Sequence, residues 1–357
     1  MVRRAFAGGN TPKGFVSFFD HIMPLRTAKK RYFLKGASGS GKSTFMKKIA
    51  DAYEAAGFDT ELFHCANDAG SLDGMAVMEK GFCIVDGTAP HACDPEIPAS
   101  IDRIIDFAGF LDEQPITLHE SELKALLNHK KILNEKAQGY FTAAANVYLA
   151  DKAACEAALS KQSIHGLARK WVQPLEGFGT SNCAGADRKL FLSAVTPDGV
   201  ISYADEVLSG YKTYGLCTEA GAGINAYLAD LRDEANMRGI NTESFYSPFE
   251  PSLEYLLMPD VGIAFAVTGS PYGYLGSVEE EISFSRLFDT NRLCTAKTGM
   301  ERNSELFNML MGETCGLMKA SRGLHSKIED IYISAMDFDR VNELTDRIIR
   351  ELLSFDS

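Results

Sequence analysis

Gly36-Ala37-Ser38-Gly39-Ser40-Gly41-Lys42-Ser43-Thr44 decides the fold, because it matches G-x-x-x-x-G-K-[ST], the Walker A phosphate loop. The preceding residues 31–34, Arg-Tyr-Phe-Leu, are typical of a short buried strand. Residues 42–56 after the loop carry apolar side chains at helical spacing. Strand, glycine-rich turn and helix form the context that the motif requires. We therefore predict an α/β core that binds a nucleotide with all nine residues of the loop.

The residue types of the loop explain how it would bind phosphate. Its glycines allow backbone conformations in which successive N–H groups surround an anion, and the following helix adds its positive N-terminal end. Lys42 is predicted to reach the β- and γ-phosphates, Ser43 to bind Mg²⁺, and Thr44 to be a weaker candidate for an α-phosphate contact. The sequence has no [NT]-K-x-D base-specificity signature of GTPases. We therefore predict ATP, with Mg²⁺, as the nucleotide.

Residues 82–86, Phe-Cys-Ile-Val-Asp, are predicted to form a buried strand that ends in a carboxylate. This is the Walker B form, in which the acid holds Mg²⁺, although Asp86-Gly87 also fits a simple turn. We predict Lys42 and Asp86 as catalytic residues, and Ser43 and Asp86 as Mg²⁺ ligands. Ligands of parallel α/β sheets bind at the carboxyl ends of the strands. The candidate substrate contacts there are His64, Asp68, Asp73 and His91.

The sequence contains an internal repeat. Residues 11–20, Thr-Pro-Lys-Gly-Phe-Val-Ser-Phe-Phe-Asp, are echoed by residues 196–205, Thr-Pro-Asp-Gly-Val-Ile-Ser-Tyr-Ala-Asp, and further matches follow in order. The functional positions differ: Ile224 stands in place of Lys42, Asn225 in place of Ser43, and Val267 in place of Asp86. We therefore predict a duplication whose second copy has lost nucleotide binding.

The predicted fold is α/β, with two tandem P-loop NTPase-like three-layer cores of mostly parallel sheet, each followed by a helical arm. The predicted boundaries are a core with intact Walker A and B motifs over 1–98, a helical arm and linker over 99–180, a degenerate core over 181–275, and a C-terminal helical arm over 276–357. Helices are predicted over 101–111, 121–159 and 161–172, with a bend near Gly139 as an alternative, and over 337–353. Core packing, a lid and a partner-binding arm are alternative roles for the arms.

Composition excludes several classes of protein. The net charge of −12 argues against a nucleic-acid partner, and no run approaches the roughly 18 apolar residues of a membrane span. The eight cysteines include no C-x-x-C pair, and the N-terminus has no apolar core of a secretory signal. We expect a cytoplasmic protein with neither nucleic-acid nor membrane partners.

The chain resembles an uncharacterised bacterial family of tandem P-loop proteins, with duplicated P-loop NTPase cores, that are described as ATPases or as nucleotide-kinase-like. The resemblance rests on residues 6–14, 35–44, 63–65, 71–74 and 85–91, the last reading Val-Asp-Gly-Thr-Ala-Pro-His. It covers the first core well and the second weakly. The resemblance implies a cytoplasmic P-loop fold and a duplicated architecture, and it implies no particular substrate.

These observations predict a Mg-ATP-binding protein, an ATPase whose nucleotide state moves the helical arms, with an active site only in the N-terminal copy. A small-molecule or nucleotide kinase is one alternative, and a non-enzymatic nucleotide sensor or scaffold is another. The further partner is then a small-molecule substrate or a protein. Arg103 in the helical arm is weighed as the lid arginine of small-molecule kinases, and Arg188 as an arginine finger from the second copy. For both, a solvated or ion-paired surface charge is the simpler interpretation.

Overall fold

The computed structural model describes residues 1–89, 93–172, 183–268 and 273–354 of an α/β chain with mixed, mostly parallel sheets and helices. We call residues 1–172 the N-terminal half. Its elements are β1 (Val2–Ala5), β2 (Gly8–Thr11), β3 (Gly14–Ser17), β4 (Lys30–Lys35), α1 (Lys42–Ala55), β5 (Thr60–His64), β6 (Leu72–Val77), β7 (Phe82–Asp86), β8 (Asp102–Asp106), α2 (Glu113–Leu118), α3 (Glu120–Glu156) and α4 (Lys161–Val172).

We call residues 183–354 the C-terminal half. Its elements are β9 (Asp187–Leu190), β10 (Ser193–Thr196), β11 (Gly199–Ser202), α5 (Ala204–Leu208), β12 (Lys212–Cys217), α6 (Ile224–Met237), β13 (Thr242–Tyr246), β14 (Leu253–Met258), β15 (Ile263–Val267), β16 (Glu280–Ser283), α7 (Thr290–Ala296), α8 (Met300–Ser334) and α9 (Phe338–Leu353). The candidate contact His91 and most of the predicted linker lie outside the described residues. No helix of the described ranges is long and apolar enough to cross a bilayer.

Each half contains a six-stranded sheet. The strand order is β1-β5-β6-β7-β4-β8 in the N-terminal half and β9-β13-β14-β15-β12-β16 in the C-terminal half. In each sheet one strand, β6 or β14, runs antiparallel to both neighbours, and the remaining pairs are parallel. Because β4 and β7 are parallel, Leu34 lies opposite Asp86. The predicted phosphate loop (residues 36–44, called the phosphate loop below) and Asp86, the Walker B candidate, therefore leave the sheet side by side.

The prediction of a helix over 101–111 is wrong, because residues 102–106 form β8 beside β4. The two apolar residues of β8 are flanked by charged residues, a pattern that also fits a helix. The strand is defined by its pairing with β4, which cannot be read from the sequence. Asp102 is buried and binds Arg31, with 2.7 Å between Nε and Oδ1. The first sheet therefore extends beyond residue 98. The predicted helical arm after residue 276 likewise begins with a strand, β16, which pairs with β12.

The helical arms cross between the halves. Helices α3 and α8, of 37 and 35 residues, pack against each other, and α3 continues through Gly139 without the alternative bend. Beyond them, Ile164 and Ala168 of α4 pack in the apolar core around α6. The predicted apolar face of the last helix packs in the core around α1, through Val341, Leu344, Ile348 and Leu352. The core of each half is thus completed by the arm of the other.

Four charged side chains link the halves at a largely buried junction. Arg3 binds both Glu61 and Glu243, and Arg188 binds Glu61 at 2.6 Å and Glu243 at 3.2 Å. Burial alone would raise the pKa of Glu243, but the two arginines lower it to about 2. Arg188 is therefore occupied at this junction, and Arg103 forms a half-exposed pair with Glu351 of α9. The structure gives neither residue a place in the site described below.

Candidate functional site

The loop between β4 and α1 closes around its own lysine. Gly39 and Gly41 have φ angles of 76° and 92°, the left-handed region that favours glycine. The ammonium of Lys42 donates to the carbonyl oxygens of Gly36 and Ala37, both at 2.8 Å. Burial lowers the pKa of Lys42, and the charge of Asp86, 3.7 Å away, opposes this shift. The loop therefore presents a desolvated cation that polar ligand atoms can reach by replacing loop carbonyls.

The loop and the adjacent strands also offer oxygen ligands for a cation. The Ser43 hydroxyl accepts the N–H of Leu72 at 3.0 Å, which ties α1 to β6. Asp86 accepts the N–H of Thr88 at 2.9 Å. The buried Ser40 hydroxyl has no hydrogen-bond partner among the described residues, as expected of a group that an incoming ligand satisfies. Hydroxyl and carboxylate oxygens suit Mg²⁺, so these residues fit both a phosphate chain and its metal.

Asp73 lies beside Asp86, because β6 runs next to β7. Burial is the larger and the charge of Asp86 the second of the causes that raise the pKa of Asp73 to about 7. A hydrogen bond from the Cys65 thiol acts in the opposite direction. A carboxyl group that titrates near neutral pH can accept a proton under working conditions. The sequence marked Asp73 as a substrate contact only, since the antiparallel strand that carries it was not predicted.

Replacing Asp73 with asparagine is expected to stabilise the nucleotide-free protein at about pH 8 by at least about 1 kcal/mol. A raised acid pKa favours folding below its unfolded value, near 4, and that contribution disappears as the pH rises through about 7. The difference in the free energy of unfolding between Asp73→Asn and wild type should therefore vanish near pH 4 and grow towards pH 8. Urea unfolding across this range measures it.

Asp51→Asn, at an exposed position on α1, serves as the control for this comparison. Its free energy of unfolding should follow that of wild type at every pH. Parallel curves for Asp73→Asn and wild type at all pH values would contradict the assignment of a raised pKa to Asp73.

One cavity of about 610 Å³ joins these groups to both long helices of the arms. The phosphate loop and the strand-end residues Cys65, Asp68, Asp73 and Asp86 form one wall. The facing wall carries polar residues of the arms, namely Lys130 and Asn134 of α3 and Ser321, Arg322, His325 and Glu329 of α8. Sequence analysis missed this wall. The polar stripe of α8 at spacings of three and four residues was its one signal, and such a stripe usually marks a solvated helix face.

Helix α8 lies directly on the phosphate loop. A side chain on Gly39 would come within 2.9 Å of the carbonyl oxygen of Glu329 and 3.1 Å of Ile333. A side chain on Gly41 would lie 3.4 Å from Phe338, the first residue of α9. The loop glycines therefore serve both the loop conformation and the close approach of the arm. A rearrangement of the loop would therefore bring it against α8.

His64 is the predicted contact that the structure does not bring to the cavity. Its Nδ1 donates to the carbonyl of Ala69 at 2.8 Å, and its ring packs on Tyr203 with centroids 5.0 Å apart. Alternate residues of a strand point to opposite faces, so Cys65, rather than His64, faces the cavity. Asp68 lines the cavity and accepts a hydrogen bond from Ser71 at 2.6 Å.

The corresponding loop of the C-terminal half, residues 218–225, is covered by apolar side chains. A side chain on Gly223 would lie 2.6 Å from Leu159 and 3.0 Å from Ile164, where α3 leads into α4. Asn225 accepts the N–H of Leu253 at 3.0 Å, as Ser43 does from Leu72. Ile224 and Val267 are buried, so neither a cation nor a metal ligand occupies the positions of Lys42 and Asp86.

Comparisons of the chain with protein-family models, curated proteins and solved structures gave no match. Its function is therefore inferred from the residues described above.

Proposed function

We propose that the protein is a P-loop NTPase of duplicated architecture that binds Mg-ATP and hydrolyses it in the N-terminal half. The observation that carries this proposal is the meeting of Lys42, Ser43, Asp73 and Asp86 in one cavity beside a glycine-rich loop. The shared strand order of the two sheets and the matching hydrogen bonds of Ser43 and Asn225 support the duplication. The resemblance to tandem P-loop proteins points the same way.

Each residue has a role that follows from its surroundings. Lys42 would exchange the loop carbonyls for phosphate oxygens and stabilise the charge that develops on the transferred phosphoryl group. Ser43 and Asp86 would hold Mg²⁺, which supplies further neutralisation of that charge. Asp73 lies beside Asp86 in the same cavity, and burial favours its protonated form, so it would be placed to accept the proton of an attacking water.

The contact between α8 and the loop supports a coupling of nucleotide state to the arms. Glu329 and Ile333 rest against Gly39, and α9, which follows α8, packs on the same helix that begins at Lys42. A change in the loop would therefore act on the last turns of α8 and on α9, the final two helices of the C-terminal arm. Movement of the arms is the expected output of nucleotide binding.

Phosphate release from Mg-ATP tests the proposal, with Lys42→Ala as the control. We expect steady release by the wild-type protein and release at background level by the variant. Binding of ATP without release above that control would contradict hydrolysis and favour a nucleotide sensor. Absence of any thermal shift with millimolar Mg-ATP would contradict nucleotide binding and favour a scaffold.

A small-molecule or nucleotide kinase is the second candidate, because both arms wall the cavity and could exclude water from the transfer. It predicts slow hydrolysis that accelerates only when an acceptor is added. Screening nucleoside monophosphates and small hydroxyl compounds for ADP formation separates the two reactions.

A further inference from the structure

Lys130 of α3 is a half-buried cation without an anionic hydrogen-bond partner among the described residues. Its Nζ contacts Nδ1 of His325 at 2.8 Å. Burial, and then the charge of Lys130 itself, lower the pKa of His325 to about 4, so the ring is neutral at physiological pH. Burial also lowers the pKa of Lys130, and the charge of Glu329 partly opposes this shift. A desolvated ammonium in this setting is costly unless an anion joins it.

Arg322 of α8 is the second cation of this wall. Its guanidinium forms two hydrogen bonds, of 2.5 and 2.9 Å, with Asp198 on the turn between β10 and β11. The two side chains are 28% and 48% exposed, and exposed pairs of this kind contribute little to stability because water competes for both charges. A phosphate group can take the same two bonds, because its oxygens match the fork of the guanidinium.

The course of α8 sets the position of these cations relative to the loop. Glu329 rests on Gly39, and Arg322, seven residues earlier, lies two turns away on the same helix face, about 10 Å along the axis. The charge of Asp68, at the strand ends, acts on Arg322, and that of Glu329, which rests on the loop, acts on Lys130. The two cations therefore flank the end of the cavity beyond the loop, where the last phosphate of a bound nucleotide would lie.

We propose that Lys130 and Arg322 bind the terminal phosphate of the ATP molecule held by the phosphate loop. This inference rests on the proposed nucleotide binding and adds a specificity for triphosphate over diphosphate. When ADP is bound, Lys130 has no phosphate partner and Arg322 remains paired with Asp198. ATP brings the side chains of Lys130 and Arg322 onto the γ-phosphate, so a helix from the arm of each half responds to it.

Calorimetric titration with Mg-ADP and with a non-hydrolysable Mg-ATP analogue tests this inference on the full chain. We expect Lys130→Met and Arg322→Gln each to weaken binding of the ATP analogue at least about tenfold and to change ADP binding less than about twofold. Lys131→Met is the matched control, because Lys131 is the exposed neighbour on the same helix, and it should change neither affinity.

Asp198→Asn separates a ligand role of Arg322 from a structural one. Loss of this partner frees the guanidinium, so the variant should bind the ATP analogue several-fold more tightly and ADP as wild type does. If Asp198→Asn weakens ATP binding as Arg322→Gln does, the pair is structural and the inference is wrong. Equal losses for both nucleotides, or none for either, would also overturn it.

The same titrations keep this inference distinct from the proposed function. Binding of ADP by wild type and its loss in Lys42→Ala support the nucleotide site, and the ATP-to-ADP affinity ratio of the arm variants then decides the role of the cations. Wild type that binds neither nucleotide would overturn both. If Lys130→Met does not fold, Arg322→Gln and Asp198→Asn, at more exposed positions, decide the question.

Discussion

Asp86→Asn is expected to lower the rate of phosphate release from Mg-ATP by at least about 100-fold. The amide keeps the size and the hydrogen-bonding oxygen of the carboxylate, so the turn at Thr88 can still form. What it removes is the negative charge beside Lys42 that would hold Mg²⁺. A steady-state assay at saturating ATP, repeated over a range of Mg²⁺ concentrations, measures the loss and its metal dependence.

Asp106 provides a matched control for this substitution. It ends β8, the other neighbour of β4, and its carboxylate accepts the N–H of Ala108 at 2.8 Å, as that of Asp86 accepts the N–H of Thr88. It does not line the cavity. Asp106→Asn should therefore leave phosphate release within about twofold of wild type. Equal losses in the two variants would mean that Asp86 matters only as a turn residue.

Arg188→Met is expected to lower the free energy of unfolding by about 3–5 kcal/mol, because it leaves two buried carboxylates with one arginine between them. Glu61 and Glu243 are only 13% and 10% exposed, so water cannot replace the lost guanidinium. Urea unfolding near neutral pH measures the change. Arg4→Met is the control, since the pair of Arg4 with Glu206 is 43% and 35% exposed and should contribute no more than about 1 kcal/mol.

The same junction predicts how the protein responds to acid. The lowered pKa of Glu243 stabilises the folded state above the usual value of a glutamate, and this contribution is lost as the pH falls from about 4 towards 2. Arg188→Met should weaken this acid transition as well as overall stability. A variant as stable as wild type would show that the junction is a solvated surface pair.

The parts of the fold that the sequence predicts are those with a local signal. A glycine-rich turn predicts the loop after β4, helical spacing predicts α1, and a four-residue apolar run predicts β7. The structure places α1 over 42–55 and β7 over 82–86. The strands β6 and β8 carry Asp73 and Asp102 at buried positions. Their polar residues hide the apolar alternation of a strand, so pairing with distant segments alone defines them.

The candidate site divides in the same way. Lys42 and Ser43 come from one sequence motif and Asp86 from a second, and all three line one cavity. The arm residues Lys130 and Arg322 have no motif. They line the cavity beside the loop only because the arms cross. The periodicity of a helix shows which of its faces is apolar but does not show which core that face will cover.

The crossing of the arms also has a consequence for folding during synthesis on the ribosome. Lys48 of α1 bonds to Asn342 of α9 across 294 residues, and at about 5–20 residues per second this separation corresponds to a wait of roughly 15–60 s. During that time α1 keeps an uncovered apolar face, which is a hazard for aggregation and a natural target for chaperones. The cavity beside the loop is thus among the last parts of the molecule to form, although the loop is encoded first. A nascent chain that stops short of α9 would emerge with its N-terminal core incomplete.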